Sequence, residues 1–292
     1  MRTAETLQLE SLKRTLDMIK FEHSVFAMPF ALTGAMLGWR ETGIFSWTSL
    51  LWIVVAMVSA RSAAMTFNRI IDEGIDAKNP RTAMRHLPSG QLSRGFAWGF
   101  FLSNAVIFVA ASAMLNPLCL MLSPIALGTV LFYSYTKRFT SLAHLVLGLS
   151  LGIAPSAAWI AITGSLDLRV GFLSAAVMFW TAGFDIIYAC QDYEFDRREG
   201  LFSIPARIGI ANALTVSRVF HAITVACLFG VSLSFGLSWW PVLPVAALLL
   251  YEHSLVSATD LSKVNMAFFT VNGFIGLVYF AAMAFEVFRN VR

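Results

Sequence analysis

Long apolar stretches dominate the chain, broken at near-regular intervals by short polar segments. A bilayer core about 30 Å thick takes about 20 apolar residues per helical crossing. On that measure nine spans are predicted, over 23–39, 47–71, 95–115, 118–135, 142–162, 170–190, 209–234, 239–256 and 266–287. The breakers Asn116-Pro117, Thr163-Gly164 and Trp240-Pro241 mark tight turns between them. Ahead of the first span, Lys13, Arg14 and Lys20 alternate with Leu9, Leu12, Leu16 and Ile19. That pattern predicts an amphipathic interfacial helix over 1–20 rather than a signal peptide. The expected fold class is all-α, a polytopic bundle forming a single domain over 1–292.

Composition agrees with the pattern. Of 292 residues, 58% are hydrophobic and 13% charged, and the mean hydropathy is +0.71. A soluble domain carries about 25% charged residues, so a water-soluble globule is excluded. The net charge of +4 does not read as a nucleic-acid footprint, because the basic residues gather in loops between spans. With the N-terminus inside, fourteen Lys and Arg fall in cytoplasmic segments and four (Arg40, Arg169, Arg289, Arg292) outside. This asymmetry predicts an N-in, C-out topology. Cys119, Cys190 and Cys227 form no CxxC pair, so neither a disulfide framework nor a zinc site is expected.

Two acidic motifs carry the chemistry. The first is Asn68-Arg-Ile-Ile-Asp72-Glu-Gly-Ile-Asp76, the second Asp185-Ile-Ile-Tyr188-Ala-Cys-Gln-Asp192-Tyr-Glu-Phe-Asp196. In each, two aspartates lie four apart, sharing a helix face about 6 Å apart along the axis. Acidic residues at a membrane border are costly and point to function. Four gathered carboxylates repel one another unless a cation joins them, and oxygen-only ligands suit Mg²⁺, which usually also binds substrate phosphate. Asp72 to Asp192 and Asp76 to Asp196 both measure 120 residues. Spans two and six run the same way, so two pseudo-repeated halves are expected to face each other around a cytoplasmic site. The residue pattern thus points to a diphosphate held by Mg²⁺ at a membrane face.

Other residues have two readings each. Asn68, one turn before Asp72, is either a neutral oxygen ligand or an interhelical hydrogen-bonding residue. In the loop 77–90, Lys78 and Arg81 are candidate diphosphate contacts, with Arg85 a weaker one; a basic loop that sets topology is the alternative. Lys137-Arg138 fit an interfacial anchor as well as an anion site. Tyr188 is expected on the face of Asp192, in reach of metal-bound oxygen. Asp185 needs a buried partner, for which Arg61 is proposed, and Glu22 and His23 open the first span near the site.

These motifs resemble those of the UbiA superfamily of intramembrane aromatic prenyltransferases, whose first motif reads Asn-Asp-x-x-Asp-x-x-x-Asp and whose second is an Asp-x-x-x-Asp series. Pro80-Arg81-Thr82 through Leu87-Pro88-Ser89-Gly90, and Tyr188-Ala189 through Ser203-Ile-Pro205, look like the 4-hydroxybenzoate polyprenyltransferase branch. Arg69 stands where many members have aspartate. The resemblance implies Mg²⁺-dependent transfer of a polyprenyl group from its diphosphate to a hydroxylated aromatic acid, most readily 4-hydroxybenzoate, in ubiquinone or menaquinone biosynthesis. It implies Asp72, Asp76, Asp192 and Asp196 as the metal-holding catalytic set, with Asn68 beside them. The implied location is a bacterial inner membrane with the site on the cytoplasmic side. The opening Lys20-Phe-Glu-His-Ser-Val-Phe-Ala-Met-Pro29 looks more like enzymes of the futalosine route, whose acceptor would be 1,4-dihydroxy-6-naphthoate. A secondary transporter is the competing class, disfavoured because the acids gather at one membrane face.

Overall fold

The computed structural model describes Met18 and residues 26–289. Glu22, His23 and the body of the expected amphipathic helix lie outside the described residues. Within them the elements are α1 (Met28–Thr42), α2 (Trp47–Asp76), α3 (Arg94–Leu115), α4 (Pro117–Thr136), α5 (Ala143–Thr163), α6 (Leu168–Ala189), α7 (Tyr193–Glu199), α8 (Ile204–Ile208), α9 (Ile210–Ser234), α10 (Val242–Ser254) and α11 (Asn272–Arg289). There is no strand among the described residues.

Helix starts follow local chemistry. Ser46, Ser93, Asn116 and Ser203 each accept a hydrogen bond from the backbone N–H three residues on, satisfying a donor that the first turn leaves free. Seven helical stretches are long and apolar enough to cross a bilayer: Trp47–Asp76, Arg94–Leu115, Pro117–Thr136, Ala143–Thr163, Leu168–Glu199, Ile210–Ser234 and Met266–Arg289. The other two predicted spans meet shorter helices, α1 with 15 residues and α10 with 13. At 1.5 Å per residue these reach only about 20 Å. Each has a reason to stop: α1 ends at Gly43 in the left-handed conformation, and α10 begins immediately after Pro241.

The packing is inverted relative to a soluble protein. α3 and α4 turn large apolar side chains outward (Leu102, Val106, Met121, Ile125, Phe132) and bury small polar ones (Ser112, Ser123, Ser134, Thr136). In lipid, helices associate through close contact of small residues rather than by expelling water. α6 is the central helix, with Leu173, Val177, Trp180, Ile186 and Ile187 all buried. It packs between α5 and α9. The α5–α6 approach depends on Gly148 and Gly152, spaced one turn apart: a Cβ at Gly152 would stand 2.7 Å from the Ser174 carbonyl, and one at Gly148 would collide with the Met178 carbonyl. Both partners are backbone and cannot move aside cheaply.

Overpacking of this kind costs about 1–3 kcal/mol. Gly148→Val is therefore expected to lower the thermal melting temperature of the detergent-solubilised protein. An unchanged melt would show that α5 and α6 do not depend on this close approach.

Candidate active site

α2 runs unbroken to Asp76, so its last two turns place Asn68, Asp72 and Asp76 along one edge. Asp72 and Asp76 are 1% and 3% exposed, and charge burial of that degree requires compensation. Lys137 Nζ lies 2.8 Å from Asp72 Oδ2, and Asn68 Nδ2 donates to the same oxygen at 3.1 Å. Arg138 donates to the Ile71 carbonyl at 2.6 Å and approaches Asp72 at 3.4 Å. Arg85 Nη1 straddles the Asp76 carboxylate at 2.7 and 2.8 Å, with Arg69 Nη1 4.0 Å away.

The loop after α2 folds back over this edge as a series of turns. Thr82 Oγ1 donates to the Asp76 carbonyl, and buried Leu87 joins Ala63, Ile70, Ala97 and Phe101 in a small apolar cluster. So anchored, the loop reaches the second motif. Arg81 Nε donates to Asp192 Oδ1 at 3.0 Å and its Nη2 to Oδ2, a two-pronged clamp. Asn79 Nδ2 donates to Asp192 Oδ1 at 3.0 Å, while its own Oδ1 accepts the Arg81 N–H. Arg81 Nη1 also donates to the Tyr188 hydroxyl at 3.1 Å. Burial works against the Arg81 charge, but the Asp192 carboxylate outweighs it and holds the guanidinium above its ordinary pKa.

The second motif does not form the continuous helix that its spacing predicts. α6 ends at Ala189, a 3₁₀ turn covers Cys190–Asp192, and α7 starts at Tyr193. The break thus falls between Tyr188 and Asp192, while Asp192 takes the N-cap position of α7 and Asp196 lies in its first turn. Asp185 pairs with His144, Nδ1 to Oδ2 2.7 Å, and not with Arg61. The Ile204 N–H reaches His144 Nε2 at 3.3 Å, which makes Nδ1 the donor to the carboxylate. Lys78 turns away to Glu199, 2.9 Å, at the exposed rim.

The edge thus brings together Asn68, Asp72, Asp76, Arg81, Lys137, Arg138, Tyr188 and Asp192, with Asp196 one helical turn further on. Asn79 and His144 carry no signal in the sequence pattern. Their partners are 113 and 41 residues away, and no local pattern marks such contacts. Among the described residues, no three acidic, histidine or cysteine side chains converge to ligate an ion as they stand. Instead Lys137, Arg85 and Arg81 supply the positive charge. The donor set of four carboxylates and one amide, all oxygen, nonetheless fits Mg²⁺ by its chemistry.

A cavity of about 550 Å³ opens from this edge into the bundle, between α2, α4 and α5. Asn68 lines it at one end and Ile53 at the other, about 22 Å apart along α2. Its wall is mostly Ala, Leu, Met and Val, with Arg61 as its charged residue and Tyr133 among its few polar ones.

The UbiA prenyltransferase family profile matches residues 27–278. A 4-hydroxybenzoate octaprenyltransferase of Vibrio parahaemolyticus serotype O3:K6 is 32% identical over 239 residues, covering 81% of this chain and 84% of that protein. Among solved structures, a UbiA homolog from Aeropyrum pernix K1 is 33% identical with a TM-score of 0.83, covering 91% of this chain and 98% of the other. A UbiA homolog from Archaeoglobus fulgidus, bound to DMAPP and Mg²⁺, shares the fold at 20% identity and a TM-score of 0.72, over 95% of this chain and 100% of that one. The helical bundle, the paired aspartate motifs at one end and these similarities agree: the chain is an integral membrane protein that belongs to the UbiA prenyltransferase family.

Proposed function

We propose that this protein transfers a polyprenyl group from polyprenyl diphosphate to the ring of a hydroxylated aromatic acid, with 4-hydroxybenzoate as the first acceptor, in ubiquinone or menaquinone biosynthesis. The observation that carries this reading is the juxtaposition of an acidic and basic edge with a long apolar cavity. A diphosphate needs the first and an isoprenoid tail the second. The 4-hydroxybenzoate octaprenyltransferase relatives and the DMAPP and Mg²⁺ held by an A. fulgidus homolog support the same assignment.

Asp72, Asp76, Asp192 and Asp196, with Asn68, would hold Mg²⁺, whose charge offsets that of the departing diphosphate. Arg81, Lys137 and Arg138 sit beside these carboxylates and can shift onto diphosphate oxygens when the substrate arrives. Arg85 does the same from Asp76. Lys78 belongs to the outer rim, where Glu199 holds it. The cavity wall excludes water, which would otherwise capture the allylic cation once its bond to the diphosphate oxygen breaks. The acceptor ring carbon ortho to the hydroxyl then bonds the allylic carbon, and a second-motif carboxylate takes the ring proton. The nine-crossing, N-in topology, with α1 and α10 as short crossings, puts this edge in the cytoplasm of a bacterial inner membrane, facing soluble substrates. The two halves ending in α2 and α6 act as pseudo-repeats, each contributing one aspartate pair.

Two outcomes follow. Asp72→Asn or Asp192→Asn is expected to cut turnover by about a hundredfold or more, because the shape is kept while a ligand charge is lost; full turnover in either folded variant would refute the assignment of those carboxylates. Purified protein given polyprenyl diphosphate, Mg²⁺ and 4-hydroxybenzoate is expected to yield a ring-prenylated product that EDTA abolishes. Product with 1,4-dihydroxy-6-naphthoate alone would move the acceptor to the futalosine route. No product with either acid would overturn the aromatic-acid reading.

A further inference from the structure

A buried polar network lies away from the aspartates, on the far side of α6. Asn272, fully buried, uses every hydrogen-bonding group of its amide. Its Nδ2 donates to Glu252 Oε1 at 2.8 Å and to the Ala267 carbonyl at 3.0 Å, and its Oδ1 accepts from Trp180 Nε1 at 2.6 Å. Glu252 is also fully buried, and its second oxygen lies 3.7 Å from His221 Nδ1. Burying a carboxylate and an amide in a membrane bundle is costly, and the mechanism above uses neither.

The Ala267 carbonyl that the Asn272 side chain holds lies inside a π-turn. That turn, Met266–Val271, leads into α11. Successive side chains on an α-helix diverge by about 100°; more residues per turn reduce that angle. Phe268 and Phe269 consequently both face Tyr188, with ring centroids 4.1 and 5.8 Å away. Tyr188 in turn takes the Arg81 Nη1–H on its hydroxyl and lies under the same guanidinium, 5.2 Å from its ring centre. Arg81 clamps Asp192.

We infer that Asn272, with Glu252, is a positioning residue: it fixes the π-turn whose Phe268 and Phe269 hold Tyr188, and through Tyr188 the Arg81–Asp192 arm that receives the diphosphate. Contact runs continuously along this path, and each link has a shape that the previous one sets. The role rests on the transfer reaction proposed above.

The test joins kinetics with hydrogen exchange. Asn272→Leu is expected to raise KM for polyprenyl diphosphate about tenfold, the size of one lost buried hydrogen bond, with a smaller change in kcat. In an Arg81→Ala background the same substitution should add no more than about twofold, because the arm it positions is already gone. Amides of residues 78–90 should exchange faster in Asn272→Leu. Glu286→Gln, a buried acid bonded to Ser238 and Trp240 at another part of the bundle, is the control: it should lower the melting temperature and leave KM alone. Phe268→Leu breaks the path one link nearer Tyr188 and carries the test if Asn272→Leu does not fold. Unchanged KM and exchange, or full additivity with Arg81→Ala, would overturn the positioning role. A wild-type protein without turnover would overturn the reaction alone, and loop exchange would then decide the coupling.

Discussion

Negative charge buried at the rim of an apolar bundle is the constraint around which this protein is organised. Asp72 and Asp76 are almost wholly withdrawn from water, where an uncompensated carboxylate costs several kcal/mol. The compensation comes from two places. Lys137 arrives from the end of α4 and Arg85 from the loop after α2, which also sends Arg81 across to Asp192 of the other motif. The basic loop is thus a closing strap over this edge, and its fold follows from where the carboxylates sit. The same arrangement suits a substrate that brings its own charge. On the function proposed above each ion pair is an exchangeable contact, a diphosphate with its metal replacing what both partners lose.

The apolar half of the site follows from membrane packing rules. Helices that cannot use water to drive association approach through small residues, and Gly148 and Gly152 let α5 lie against the α6 backbone. Where larger helix separations remain, between α2, α4 and α5, space is left over. Its wall of alanine, leucine and methionine gives dispersion contacts without directional demands, and unbranched methionine adapts to a flexible occupant. A tail that enters here leaves its charged head at the aspartate edge, so one geometry satisfies both ends of an amphiphile.

Breaks in regular helix recur around the site. The 3₁₀ turn at Cys190–Asp192 separates Asp185 and Tyr188 on α6 from Asp192 and Asp196, and the π-turn at Met266–Val271 supplies the aromatic wall behind Tyr188. Freed backbone groups at such breaks need other partners in a membrane. The Ala267 carbonyl finds one in Asn272 and the Ile204 N–H another in His144. In both cases the residue that satisfies the backbone also touches an acidic side chain, Glu252 or Asp185, which ties the shape of the break to the local electrostatics.

Hydropathy and the two acidic motifs are local properties of the chain: they determined the helical membrane class and the long spans, and they marked Asn68, Asp72, Asp76, Arg81 and Asp192 as candidate site residues. A helix of period 3.6 makes Asp72 and Asp76 neighbours whatever surrounds them, and α2 bears this out. The same rule does not carry from Tyr188 to Asp192, because a 3₁₀ turn over Cys190–Asp192 ends α6 there. Spacing alone cannot register such a break. The choice of partners belonged to tertiary structure throughout: His144 rather than Arg61 for Asp185, Glu199 for Lys78, Asn79 for Asp192. A buried charge takes whichever complementary group the packing brings within about 3 Å, and packing is set by contacts among helices far apart in the chain. Sequence determined where charge had to be placed; only the assembled bundle decided what would answer it.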